Sequence, residues 1–139
     1  MPIIFHEDEL PRMLSFNPGR IRTLIVSDEL AGTKAFLCGR MEYLPGARSP
    51  YHYHVGCEHF FYVLEGRGKL RLEEREVALE KGILAFIAEY EKHQLLNPYD
   101  QPLRMLELQV PNQFKTEILE GDADDLRWKK ADGHVWEQK

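Results

Sequence analysis

Three of the six histidines in this 139-residue chain lie within YHYHVGCEH, residues 51–59. His52 and His54 are two residues apart, so on a β-strand both imidazoles would face the same side. Imidazole is the commonest protein ligand for zinc, iron, copper and nickel, and two rings on one face supply adjacent coordination positions. The spacing therefore predicts a metal site, and His59 opens the next predicted strand.

A fourth candidate, His93, lies in the segment GILAFIAEYEKHQLLN, residues 82–97. It follows a predicted buried strand and begins another, so in a small barrel it can face the same interior as His52 and His54. A single histidine in an apolar run is more commonly a hydrogen-bonded core residue, and His-x-His also occurs on ordinary strands. Residue type and spacing alone leave both interpretations open.

The elements that must position these side chains are short apolar or alternating runs separated by turn residues. They lie at 21–26, 35–44, 59–65, 69–74, 76–79, 83–87, 93–97 and 103–110. None keeps a helical period, and turn-forming segments such as PGARSP and NPYDQP fall between them. Strands at this close spacing predict an all-β fold, either an antiparallel sandwich or a closed barrel, which also removes exposed edges.

Two kinds of strand pattern occur within this set. In residues 69–74, leucine alternates with charged residues, which is typical of a strand with one solvated face. The runs HFFYVLE (59–65) and ILAFI (83–87) are apolar on both faces. We therefore expect these two strands to lie between two packed layers.

The length fits one domain with short extensions. We assign residues 1–19 to an N-terminal extension, 20–111 to the barrel and 112–139 to a charged C-terminal tail, which could be a docked helix, a partner-binding arm or a frayed end. The net charge of -5 and the lack of a basic stripe argue against a nucleic-acid partner. No signal-peptide pattern or bilayer-spanning apolar stretch is evident, so we expect a cytoplasmic protein without a membrane partner.

The histidines and their flanking glycines stand in the order of the two motifs of the cupin superfamily, G-x5-H-x-H-x4-E-x6-G and G-x5-P-x-G-x2-H-x3-N. The positions that fit are Gly46, His52, His54, position 59, Gly66, Gly82, His93 and Asn97. Ala88 and Tyr90 replace the proline and glycine of the second motif. The chain resembles this superfamily over roughly residues 35–110. The resemblance implies an antiparallel double-stranded β-helix, the jelly-roll barrel.

By this resemblance three histidines are metal ligands: His52, His54 and His93. The family usually has glutamate at position 59, where this chain has His59, with Glu58 one residue earlier. Counting back from Gly66 selects His59, because a one-residue slip would turn the side chain to the opposite face. Counting forward from His54 permits either residue, since that loop varies in length. We interpret His59 as the fourth ligand and keep Glu58 as the alternative.

Four neutral histidines would leave a divalent ion its full charge, which favours a small anionic or chelating substrate. We expect one divalent transition metal per chain, and histidine ligands do not choose among iron, manganese, nickel, copper and zinc. The resemblance to histidine-rich cupins makes a dioxygenase-like oxidoreductase the leading hypothesis. The alternatives are a metal-dependent isomerase or lyase, which needs an acid/base pair near the ion, and a non-catalytic cupin that binds a small ligand.

Six further residues are candidates for the substrate pocket: Tyr53, Phe61, Tyr62, Phe86, Met105 and Glu107. Each of them also fits an ordinary place in a barrel wall. The resemblance further implies a homodimer, and the apolar segment 21–26 is a candidate pairing strand.

Overall fold

The computed structural model describes residues 2–130 and, for the backbone alone, residues 135–137. The strands are β1 (Arg12–Ser15), β2 (Arg20–Val26), β3 (Leu37–Tyr43), β4 (Tyr51–Val55), β5 (Glu58–Glu65), β6 (Arg67–Leu72), β7 (Glu76–Glu80), β8 (Leu84–Ile87), β9 (His93–Leu96), β10 (Leu103–Val110), β11 (Lys115–Glu120), β12 (Arg127–Lys130) and β13 (Val135–Glu137). The helical elements are α1 (Asp28–Ala31) and two 3-10 turns, Glu7–Glu9 and Ala123–Leu126.

These strands form two antiparallel sheets. One has the order β13-β12-β1-β2-β3-β10-β5-β8, and the other has the order β11-β4-β9-β6-β7. The prediction of an all-β jelly-roll barrel is confirmed, and each of the eight runs found in the sequence coincides with one strand from β2, β3 and β5–β10. No helix in the described part of the chain is long and apolar enough to cross a membrane.

The core lies between the inner faces of the two sheets, where strand alternation directs every second side chain. On β10 the inward set begins with Leu103 and Met105, which are both fully buried, and continues with two polar residues, Glu107 and Gln109. Burying one large apolar side chain contributes about 1.5–3 kcal/mol to folding. Along this face of β10 the side chains change from apolar to polar between Met105 and Glu107. The apolar core therefore ends there, and buried polar residues continue the same face.

The segments outside residues 20–111 also join the sheets. β1 pairs with β2 and β12, and β11 pairs with β4. Residues 115–130 therefore form strands and a 3-10 turn instead of a docked helix. Residues 131–134 and 138–139 of the predicted tail lie outside the described residues, and the boundaries at 19/20 and 111/112 stay predictions.

The apolar strands β5 and β8 pack on one face only. Phe86 is 60% exposed, Leu84 is 56% exposed and Tyr62 is 40% exposed, all on the outer face. The expectation that both faces lie between packed layers is wrong, because β5 and β8 form one end of the larger sheet and no described element covers that end. The segment 21–26 is also not a free pairing strand, since β2 is bonded to β1 on one side and β3 on the other.

Candidate metal centre

Three buried histidines lie close together on the inner face of the smaller sheet. His52 and His54 lie on β4, and His93, on the neighbouring β9, is the direct cross-strand partner of His52. The ring centroids of His52 and His93 are 4.2 Å apart, and those of His54 and His93 are 5.5 Å apart. One ring nitrogen from each histidine lies within 4.8 Å of those of the other two. Strand alternation and cross-strand pairing thus converge three imidazoles on one point.

Each of these imidazoles is held from behind through Nδ1. The partners are Pro50 O at 2.6 Å from His52, Thr116 Oγ1 at 3.0 Å from His54 and Glu91 O at 2.9 Å from His93. A carbonyl oxygen only accepts, so Nδ1 of His52 and of His93 carries the hydrogen and Nε2 keeps its lone pair. Nε2 of His54 and of His93 is buried with no hydrogen-bond partner among the described residues. Outward Nδ1 bonds and inward Nε2 lone pairs fit a divalent transition metal.

The three rings are neutral at physiological pH. Burial lowers the pKa of His52 to about 4. Burial and the neighbouring imidazoles also lower the pKa of His54 and of His93 well below the usual value. Because a histidine must be deprotonated to bind a metal, these shifts prepare the cluster for a cation.

His59 and Glu58 face opposite ways on β5. Glu58 is exposed, whereas His59 is buried, with its ring centroid 5.1 Å from that of His54 and 5.7 Å from that of His93. The ring nitrogens of His59 are outside the set of three that converge. Its Nε2 lies instead 3.4 Å from Oε2 of Glu107. His59 is therefore a neighbour of the cluster, and its role as a ligand stays a prediction.

A cavity adjoins the cluster on the side of His59. It spans about 350 Å³ when the open solvent at its mouth is counted, so only part of that space is enclosed. Its lining residues are Arg20, Arg22, Met41, Tyr43, Ser49, Pro50, His52, His59, Phe61, Leu95, Glu107 and Leu126. The wall is thus apolar in part and also carries buried charges and two histidines, which is the composition of a small-molecule site.

Glu107 is the carboxylate of this wall. Its Oε1 lies 2.7 Å from Nη2 of Arg22, and its Oε2 faces His59. Burial alone would raise the pKa of Glu107, but the positive charge of Arg22 and the nearby His59 imidazole outweigh burial and lower the pKa. Glu107 is therefore ionised and connects Arg22 with His59.

Of the six predicted pocket residues, Phe61 and Glu107 line the cavity. The Phe61 ring lies 4.2 Å from the His59 ring, measured between centroids. Met105 shares the inward face of β10 with Glu107 but is fully buried in the apolar core.

The other three do not line it. Tyr62 alternates with Phe61 on β5 and therefore points outward, and Phe86 on β8 does the same. Tyr53 lies between His52 and His54 on β4, so its side chain takes the opposite face, where its ring lies 6.3 Å from that of Tyr90. These three side chains face away from the cavity because neighbouring residues on a strand point to opposite faces. Their apolar or aromatic character alone does not show which face each one takes.

Reasoning from the sequence missed the buried arginines of β2. Arg20 and Arg22 stand two residues apart and share a face with the core residue Leu24. The signal was present, because arginine at alternate positions leading into a buried leucine places charge on the inner face. The interpretation of residues 21–26 as one apolar segment does not account for Arg22 within it.

The family of this chain follows from comparison with known proteins. The family described as Cupin domain matches residues 39–109, slightly more than half of the chain. The chain belongs to the cupin family. The matched segment runs from β3 to β10 and contains the three convergent histidines, His59 and Glu107.

This cupin is 30% identical over 88 residues to the tetracenomycin polyketide synthase protein TcmJ of Streptomyces glaucescens. That match covers 63% of this chain and 58% of TcmJ, so the cupin spans less than two thirds of that relative. The fold is similar to the polyketide cyclase RemF of Streptomyces resistomycificus, with a TM-score of 0.77, 24% identity and 90% of each chain covered. It is also similar to a sugar phosphate isomerase of Silicibacter pomeroyi, with a TM-score of 0.74, 20% identity, and 98% and 93% covered.

Proposed function

We propose that this cupin binds one divalent transition metal ion through Nε2 of His52, His54 and His93. The observation that carries the proposal is that one ring nitrogen of each histidine converges, while each ring is held from behind through Nδ1. Iron, manganese, nickel, copper and zinc all suit imidazole ligands. Such an ion, when bound, acts as a Lewis acid that polarises a carbonyl or enolate oxygen of a small substrate.

The reaction that the site supports best is redox-neutral proton transfer, as in an isomerase, lyase or cyclase. The observation that carries this proposal is the placement of His59 Nε2 towards Glu107, beside the cavity and outside the three convergent nitrogens. An imidazole oriented by an ionised carboxylate is a general base, and such contacts are often long before substrate binds. His59 takes a proton from a carbon beside the substrate carbonyl and returns it to another carbon, while Glu107 holds the imidazole.

A dioxygenase-like activity is the second candidate, and it gives His59 a different role. The His59 ring is close enough to His54 and His93 for a set of four neutral histidines. A fourth histidine ligand instead of glutamate leaves the ion its full charge, as the sequence hypothesis requires. The role of His59 thus separates the two candidates.

Metal content per chain, measured by elemental mass spectrometry, tests the ligand set. We expect His93→Ala to lose the metal and Glu58→Ala, the matched surface control, to keep it. His59→Gln should keep the metal if His59 is a base and lose it if His59 is a ligand. Full metal content in His93→Ala would contradict the metal site itself.

Two activity assays then separate the reaction classes. Exchange of carbon-bound hydrogen for solvent deuterium, followed by NMR with dihydroxyacetone, reports proton transfer. An oxygen electrode with acetylacetone reports dioxygen consumption. Exchange that His59→Gln abolishes without loss of metal supports the redox-neutral proposal. Oxygen uptake that requires the metal, with no exchange, would overturn it in favour of the dioxygenase.

We also propose that this cupin is a homodimer that pairs through the outer face of β5 and β8. The residues of this apolar face are Phe60, Tyr62, Leu64, Leu84 and Phe86. A contiguous exposed patch of large apolar side chains is costly in water and is typical of an interaction surface. A second copy of the same face would cover it under two-fold symmetry.

A further inference from the structure

The cavity beside the histidines contains an imbalance of charge. Two guanidinium groups line it, from Arg20 and Arg22, and they are 4% and 2% exposed. Among the described residues of the lining, Glu107 supplies the only carboxylate, and it pairs closely with Arg22. Buried charges are normally paired, because removing an ion from water costs several kcal/mol. Glu107 therefore balances Arg22, and no further carboxylate of the described lining balances Arg20.

The described neighbours of Arg20 do not supply its counter-charge. Nη2 of Arg20 donates to the main-chain oxygen of Asp125 at 2.6 Å, and Nε has no hydrogen-bond partner within residues 2–130. Burial raises the pKa of Tyr43, which also lines the cavity, so its hydroxyl is neutral. No carboxylate among residues 2–130 lies within ion-pair distance of Arg20.

The carboxylate of Asp125 is turned to other groups. Its Oδ1 accepts a hydrogen bond from Asn17 Nδ2 at 2.6 Å, and its Oδ2 accepts one from the backbone N–H of Asp122 at 2.9 Å. It therefore caps the 3-10 turn at Ala123–Leu126 and presents only its carbonyl oxygen to Arg20.

The position of Arg20 is fixed by stacking. Its guanidinium lies 5.0 Å from the centroid of the buried Trp128 ring, and that of Arg22 lies 4.6 Å from the same centroid. Trp128 belongs to β12, so this strand holds both arginines against the cavity. A planar guanidinium held in this way is already oriented to bind a carboxylate through two parallel hydrogen bonds.

We propose that Arg20 binds the carboxylate of a small organic anion in this cavity, with the remainder of the molecule directed towards the histidines. The apolar side chains of Phe61, Leu95 and Leu126 contact that remainder. The inference names the substrate class of the proposed function and rests on that function for the reacting end alone. Binding of the anion by Arg20 itself requires no metal.

Calorimetric titration of the metal-free protein with matched acid and amide pairs tests this inference. The probes are formate, acetate and benzoate, each against formamide, acetamide and benzamide, so that size stays constant and charge changes. We expect at least one carboxylate to bind about tenfold more tightly than its amide, because one charge-assisted hydrogen-bonded contact strengthens binding by about that factor. Equal binding of acid and amide, or no binding of any carboxylate at millimolar concentrations, would overturn the inference.

Variants locate the site. Arg20→Met should weaken carboxylate binding about tenfold and leave amide binding unchanged, and Arg20→Lys, which keeps the charge without the planar fork, should fall between. Arg104→Met, on the exposed side of β10, is the control and should bind as the wild type does. If Arg20→Met does not fold, the Arg20→Lys variant and the ratio of acid to amide affinity in the wild type still test the assignment to Arg20. Wild-type affinity in both Arg20 variants contradicts the assignment.

Metal dependence separates this inference from the proposed function. Protein that never holds a metal but binds benzoate through Arg20 refutes the metal site and supports the anion site. If carboxylates bind only the metal-loaded protein, and equally in wild type and Arg20→Met, the metal holds the carboxylate and the assignment to Arg20 is wrong.

Discussion

Arg22 and Glu107 form an ion pair at 2.7 Å in which each side chain is only 3% exposed. The pair joins β2 to β10 across the intervening β3 and lies against the cavity. Because both charges are removed from water, removal of either side chain would leave the other as an unpaired buried charge, which destabilises the fold.

Glu107→Gln should lower the free energy of unfolding by about 3–5 kcal/mol, because it leaves Arg22 buried without a counter-charge. Urea denaturation monitored by circular dichroism measures the change. The double variant Arg22→Met with Glu107→Leu should recover most of the loss, since it removes both charges.

The matched control for this pair is Arg104 with Glu65, an exposed pair at 2.6 Å on the outer side of the same sheet. Arg104→Gln should cost less than about 1 kcal/mol, because water screens that pair. A loss for Glu107→Gln as small as that of the control would contradict the structural role of the buried pair.

The metal-free protein should lose stability as the pH falls below neutral. Burial lowers the pKa of His52 from 6.5 to about 4, so between these values the unfolded chain binds a proton that the folded chain does not. This stability is fully present above pH 6.5 and decreases towards pH 4, by about 3 kcal/mol for His52 alone. The lowered pKa values of His54 and His93 extend the loss to lower pH.

Urea midpoints at neutral pH and at mildly acidic pH measure this dependence. His93→Asn removes one of the buried titrating groups, so its midpoint should change less with pH than that of the wild type. Identical pH dependence in the two proteins would show that the buried histidines are not its source.

Tyr90→Gly should raise the free energy of unfolding by up to about 1 kcal/mol. Tyr90 has a φ of 71°, a left-handed conformation, at the position where the second cupin motif has glycine. Relief of that strain, about 1–2 kcal/mol, exceeds the entropy that glycine costs. Tyr90→Ala keeps the strain and is the control for thermal unfolding, so an equal gain from alanine would assign the effect to something other than φ.

Phe86→Glu should convert the proposed homodimer to a monomer, since it places a charge in the centre of the apolar face of β5 and β8. Light scattering coupled to size-exclusion chromatography measures the mass. Leu119→Glu, which changes another exposed leucine outside that face, should stay dimeric. A monomeric wild type, or a dimeric Phe86→Glu, would show that the face is not the interface.

Much of the site could be predicted because it depends on local periodicity. Each apolar run in the sequence became a strand, and His52 and His54 face the same side because two residues complete the period of a strand. His59 and Glu58 illustrate the limit. Their opposite orientations follow from the register of β5, but the approach of His59 Nε2 to Glu107 depends on the pairing of β5 with β10.

The outcome for Phe86 and Tyr62 shows a second limit. An apolar run signals that both faces avoid water, but it does not say which molecule covers each face. Within this chain one face packs on the core and the other is exposed.

The amino-acid sequence by itself determined the all-β barrel, its cupin motifs and the shared face of His52 and His54. Those features are encoded by the alternation of residues along single strands and by turns between them. Only the tertiary structure decided that Arg20, Arg22 and Glu107 meet, and that two guanidinium groups share one carboxylate beside the histidines. The reason is physical: sheet order and register bring together residues far apart in the chain, and no local pattern of residues records which strands become neighbours.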